Sequence, residues 1–122
     1  MAHPVVHFEI PAHDLERLRK FYSELFGWGI EATPQTGDYM MINTAAEGMG
    51  INGGLITKRH PQQTVINYVM VESVADYAAK VKALGGQVVV PKTAVPTMGY
   101  FAVCLDPESN QIGLWEPDSG AA

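Results

Sequence analysis

One pattern of residues occurs twice in this chain, and it constrains the fold more than any other feature. A β-branched and aromatic run is followed by a capped helix with an apolar stripe, a glycine stop and three short strand-like runs. In the first copy, 4–10 (PVVHFEI) reads as a strand and Asp14 as a helix N-cap. Leu15, Leu18, Phe21, Tyr22, Leu25 and Phe26 follow at helical spacing, and Gly27 ends the helix. In the second copy, 65–71 (VINYVMV) is the strand, and Ser73 with Asp76 starts the helix. Val74, Tyr77, Ala78, Val81 and Leu84 line one face before Gly85-Gly86 stops it. The strand-like runs after each helix are 28–33, 38–43 and 51–57 in the first copy, and 87–90, 99–105 and 111–116 in the second. Tyr39 and Tyr100 hold matching places in these runs, and the polar, Pro61-containing stretch 58–64 joins the copies.

A solenoid needs three or more repeats, so two units imply paired modules instead. Each helix covers one sheet face, and the uncovered faces are expected to curve together around a shared cavity. The expected fold class is α+β: two tandem β-α-β-β-β modules, about 4–57 and 65–117, forming a curved mixed sheet around a central cavity with the helices outside. With 122 residues, the chain has the size of a single domain.

Charge and composition narrow the partners. The formal net charge is −5 and the only basic cluster is Arg17, Arg19 and Lys20, a poor match for phosphate backbones or anionic lipid. No nucleic acid or membrane partner is therefore expected. A single cysteine, Cys104, rules out an internal disulfide and suits a reducing compartment. Its strand neighbours are apolar, so a buried, inert thiol is expected. The first ten residues lack the basic and apolar regions of a signal peptide, and no apolar run approaches the roughly 20 residues of a membrane span. Cytoplasmic location is the expectation. His3, His13 and His60, in loops or near the terminus, are expected to be solvated.

The stretches VVHFEI…DLERLRKFYSELFGW and YFAVCLDPESNQIGLWEPD, with INGGL and GYFAVCLDP, carry a family likeness. The chain resembles the vicinal oxygen chelate superfamily, which includes glyoxalase I, the bleomycin-resistance proteins and extradiol dioxygenases. It looks most like the small glyoxalase-related members. The resemblance implies the paired-module fold and a homodimer. One departure is Ser109, where the family turn usually carries glycine. Asn110 beside it tolerates the left-handed conformation, so the turn is expected to form.

The resemblance also implies a divalent ion held by His and Glu side chains, two from each half. The first-strand histidine corresponds to His7, but its counterpart in the second half is Ile66. The last-strand glutamate corresponds to Gly113, and the remaining place falls within Asn52-Gly53-Gly54. Several converging deprotonated ligands are needed to hold such an ion. This set does not supply them, so no metal or other cofactor is expected.

Strand alternation then defines the candidate pocket. If His7 faces the cavity, so does Glu9, ~7 Å along the strand. The pair could serve as acid and base near neutral pH. The competing reading is a hydrogen-bonded interior histidine beside a solvated rim carboxylate. On the same argument Ile66, Tyr68 and Met70 share one face, with Trp115 and Gly113 beside them. These side chains suit an apolar or planar ligand, or else simply fill core. Gly53, Gly54 and Gly113 are expected to leave space. The favoured function is metal-independent binding of a small hydrophobic or aromatic molecule. The alternative is a lyase or isomerase of glyoxalase-related type using His7 and Glu9, possibly with a divalent metal centred on His7. Glyoxalase I activity itself is disfavoured.

Overall fold

The structure, a computed structural model, describes residues 2–32, 38–44 and 48–122. Ten elements follow in the duplicated order: β1 (Val5–Ala12), α1 (Leu15–Phe26), β2 (Gly29–Ala32), β3 (Tyr39–Asn43), β4 (Gly53–Thr57), then β5 (Ile66–Met70), α2 (Val74–Ala83), β6 (Gln87–Val95), β7 (Gly99–Leu105) and β8 (Gln111–Pro117). The fold is α+β with mixed strand pairing. Thr33, expected at the end of the second strand, lies outside the described residues.

Contacts gather the chain into two compact units. One is His7–Val65, and the other joins Met1–Val6 to Ile66–Ala122. Both are wired alike. In the first the strand order is β2-β3-β4-β1, with β1 and β4 parallel and the other pairs antiparallel. In the second the order is β5-β8-β7-β6, with β5 and β8 parallel and the rest antiparallel. The duplication read from the sequence is thus present in the hydrogen-bond ladders.

Each helix starts at the expected cap. Asp14 accepts the Arg17 backbone N–H at 3.1 Å, and Ser73 accepts that of Asp76 at 3.1 Å. Gly27, at φ 72°, ends α1 in the left-handed conformation and donates its N–H to the Ser23 carbonyl. Leu15, Leu18 and Tyr22 pack with Phe8, Ile10 and Met40 around the buried Ala12, Ile30, Ile42 and Leu55. Half of the expected α1 stripe does not reach this core. Phe21, Leu25 and Phe26 are 54%, 57% and 57% exposed, because they lie on the flank of a stripe wider than the sheet contact. In the second unit Tyr77, Ala78 and Val81 pack on Val71, Val74, Ala102, Cys104 and Leu114. Leu84 has left the helical face to become the C-cap, and is exposed. Cys104 is fully buried, which raises its thiol pKa.

Three local differences from the sequence reading have clear causes. β6 runs on to Val95, past Pro91, because it is the outermost strand of its unit and its pairing with β7 shifts register twice around the proline. His3, though partly exposed, is not a free loop histidine: its ring meets Tyr77 edge-on at 5.1 Å, and its Nε2 lies 3.2 Å from the Glu72 carboxylate. In the β7–β8 turn the left-handed residue is Ser109 itself, at φ 67°, rather than Asn110. The Asp106 carboxylate holds this turn by accepting the backbone N–H of Glu108 and of Asn110, and the Asn110 side-chain amide. Glycine removes the Cβ penalty of that conformation. Ser109→Gly is therefore expected to raise stability by up to about 1 kcal/mol, read as a higher urea midpoint at unchanged slope.

Candidate functional site

Alternation along β1 sends Phe8, Ile10 and Ala12 under α1 and leaves His7 and Glu9 on the other face of the first unit. The parallel register pairs Glu9 with Gly54 on β4, and β3 pairs antiparallel to β4 beyond it. Tyr39, the first residue of β3, reaches diagonally across β4 to this pair. Its hydroxyl lies 2.9 Å from His7 Nε2, and it also hydrogen-bonds the Glu9 carboxylate. Gly54 makes the crossing possible, since a Cβ there would stand 2.0 Å from the Tyr39 hydroxyl. The first unit therefore carries a connected polar chain, His7–Tyr39–Glu9, on the face away from its helix.

Burial sets the protonation of this chain. Desolvation lowers the His7 pKa below its ordinary value of 6.5, so the imidazole is neutral at pH 7. Burial, then the Glu9 negative charge and hydrogen bond, push the Tyr39 phenol far above its ordinary range. The histidine shift has a definite linkage sign. In acid the unfolded chain takes up a proton at this residue before the folded chain does, so folding stability falls as pH drops from about 6.5 toward the lower folded value. His7→Gln is expected to remove this part of the acid limb, measured by urea titrations across pH 5 to about 7.5.

Tyr39 was not among the sequence candidates. Its match with Tyr100 was visible, but the side-chain reach over Gly54 depends on a β3–β4 register that the sequence does not state. Gly53 does not share the face of His7 and Glu9, contrary to expectation. The Asn52 side-chain oxygen accepts the Thr44 backbone N–H at 3.0 Å. Gly53 pairs with Phe8, on the helix-facing side, where a Cβ would stand 2.6 Å from both the Phe8 ring and the Phe8 carbonyl oxygen.

The second unit repeats the glycine device with a different outcome. Ile66, Tyr68, Gly113 and Trp115 do lie on one face, with Met70 next along β5. Ile66 and Tyr68 are only 4% and 6% exposed, packed with Val103, Val90 and Phe101. The Tyr68 ring lies over Gly113, where a Cβ would meet it at 2.2 Å, and it meets Phe101 edge-on at 6.5 Å. Sequence reasoning expected the glycines to leave space. Instead a ring from the same unit fills each gap: Tyr39 at Gly54, Phe8 at Gly53 and Tyr68 at Gly113. A glycine that forgoes its own side chain gains cover from an aromatic neighbour.

Among the described residues, the donor set implied by the resemblance does not fit a divalent ion. Among the described residues no three or more His, Cys, Asp or Glu side chains converge. His7 Nε2 is engaged by Tyr39, and the Gly54 and Gly113 positions are roofed by rings. Among the described residues, no helix is long and apolar enough to cross a membrane.

Known proteins resemble this chain in sequence and fold. Residues 5–45 match the family described as bleomycin resistance protein-like N-terminal. CFP32 of Mycobacterium tuberculosis, provisionally described as a glyoxylase, is 26% identical over 117 residues, covering 88% of this chain. The same protein of Mycobacterium bovis matches equally. The chain spans only 43% of the length of these curated relatives. Among solved structures, a Vibrio splendidus member of the glyoxalase/bleomycin resistance protein/dioxygenase superfamily superimposes with a TM-score of 0.66 at 11% identity, covering 94% of this chain and 99% of that one. Streptomyces coelicolor methylmalonyl-CoA epimerase gives 0.65 at 17% identity, covering 98% and 97%. At these identities the likeness is one of fold.

Proposed function

We propose that this chain, which belongs to the vicinal oxygen chelate superfamily, binds a small apolar or aromatic molecule without the divalent ion implied by the family. The observation that carries the reading is the His7–Tyr39–Glu9 chain on the helix-free face of the first unit. A neutral imidazole, a phenol and a carboxylate give a ligand few but directional polar contacts. Met41, paired with Gly54 on the same face and 44% exposed, supplies apolar surface beside them. In the second unit, where Ile66, Tyr68 and Gly113 are packed core, the part-exposed Met70 and Trp115 supply the apolar counterpart.

Native mass spectrometry of freshly purified protein tests this directly. A co-purified organic compound, lost in His7→Ala and unaffected by chelator, supports the proposal. A stoichiometric divalent ion that disappears in His7→Ala defeats it. The same spectra report subunit number, for which a homodimer is proposed.

A second reading, a lyase or isomerase, draws support from the phenol that joins His7 to Glu9. A hydrogen-bonded path between a base and a carboxylate is what proton transfer needs. Turnover of any compound so identified, reduced at least about tenfold in Glu9→Gln, would favour it over binding alone.

A further inference from the structure

The outer flank of α1 carries apolar surface that the first unit does not cover. Its inner face is already filled by Leu15, Leu18 and Tyr22, while Phe21 and Leu25, one turn apart, are more than half exposed. Spaced four residues apart, Arg17, Phe21 and Leu25 form one ridge along the helix, and Lys20 with Glu24 forms the next. Between the ridges lies an open groove of about 470 Å³, lined by these five side chains. An apolar ridge beside such a groove is the surface on which one helix packs against another.

The charges say which helix. Arg17 stands in the first turn of α1 and Glu24 in the last, each at the end that its own helix dipole disfavours. Arg19 is held by Glu16 at 2.8 Å and Lys20 lies 3.8 Å from Glu24, but among the described residues Arg17 makes no ion pair. A second α1 running the opposite way, centred on Phe21, corrects both. It sets Arg17 opposite Leu25 of the second copy, with that copy's Glu24 one residue away, and it reverses the neighbouring dipole.

We propose that two copies of this chain pair through the outer flank of α1, antiparallel and two-fold symmetric, with Phe21 at the centre and an Arg17–Glu24 ion pair on either side. Such a contact is isologous, so it closes at two copies and makes each charge pair twice. The rings exclude water at the middle, and the charges at the rim fix the direction of pairing. The inference names an interface for the homodimer proposed above and does not depend on ligand binding, since His7 and Glu9 lie on the sheet face away from α1.

Sedimentation velocity across a dilution series tests it. Wild type is expected to be a reversible dimer. Phe21→Ser changes an exposed position and should leave the fold intact, yet raise the dimer dissociation constant at least about thirtyfold, because both copies lose the central ring. Arg17→Glu and Glu24→Lys should each weaken the dimer about tenfold, since each turns two attractive pairs into two repulsive ones. Their equimolar mixture should recover close to wild-type affinity: in the mixed dimer each introduced glutamate meets an introduced lysine, and the remaining Arg17 meets the remaining Glu24. Native mass spectrometry with one variant isotope-labelled reads the mixed species directly. A wild-type monomer throughout the series, a dimer indifferent to Phe21→Ser, or a mixture no tighter than its components would overturn the proposal. The last two results would leave a homodimer standing with its interface elsewhere, and none of the three touches the ligand-binding reading.

Discussion

A Gly113→Glu variant is expected to lose about 3–5 kcal/mol of stability, the cost of an uncompensated buried charge, rather than to regain the ion-binding carboxylate implied by the family. The new Cβ would fall 2.2 Å from Cδ2 of Tyr68 and 2.7 Å from its Cγ. Relief therefore requires moving the root of the ring and not just its tip. Tyr68 is 6% exposed and held by Ile66, Val103 and Phe101, so its displacement would repack the whole cluster. Beyond the steric cost, the carboxylate would enter the apolar cluster of Ile66, Tyr68, Val103 and Phe101. Gly113→Ala isolates the steric part and is expected to cost about 1–3 kcal/mol. Urea unfolding measures both variants, and equilibrium dialysis against zinc or manganese checks the ion. A Gly113→Glu protein of wild-type stability that binds one ion per chain would refute the account of the filled gap.

The adjacent glycines of β4 are expected to respond in opposite ways to the same change. At Gly53 an alanine methyl meets the Phe8 carbonyl oxygen at 2.6 Å, and a backbone atom cannot rotate aside. The β1–β4 pairing must open, so Gly53→Ala should cost about 1–3 kcal/mol or more and disturb the strand that carries His7 and Glu9. At Gly54 the nearest atom is the far end of the Tyr39 side chain, which is only half-buried. Tyr39 can turn away, so Gly54→Ala should cost less than about 1 kcal/mol while breaking the His7–Tyr39 bond. Ligand affinity should then fall about tenfold with the fold intact. Paired unfolding and ligand-titration curves decide the matter, and equal stability losses at the two positions would contradict it.

These expectations also show what the sequence made legible. Element order, both N-caps and the division into like halves were readable because they rest on local periodicity and on residues that satisfy their own helix ends. The grouping of His7 with Glu9 followed from simple alternation. Tyr39 did not, since its hydroxyl meets β1 only through the register of two strand pairs, a non-local quantity. The glycines misled for a related reason. A missing side chain signals close approach, but whether a ligand or a neighbouring ring approaches depends on who sits opposite. At Gly113 the answer was Tyr68, its direct partner in the ladder. Ser109 shows a further limit: the turn's need for a residue at positive φ was foreseeable, while its seat, one residue before the asparagine, was set by the three bonds to Asp106.

The outermost strand β6 bears on how copies of this protein can associate. It carries Pro91, which has no amide hydrogen to offer, and Lys92, whose ammonium lies 4.2 Å over the Tyr100 ring; its ladder to β7 is twice out of step. A rim built this way resists stitching to a foreign strand, the route by which open sheets polymerise. Self-association through that margin is thereby discouraged.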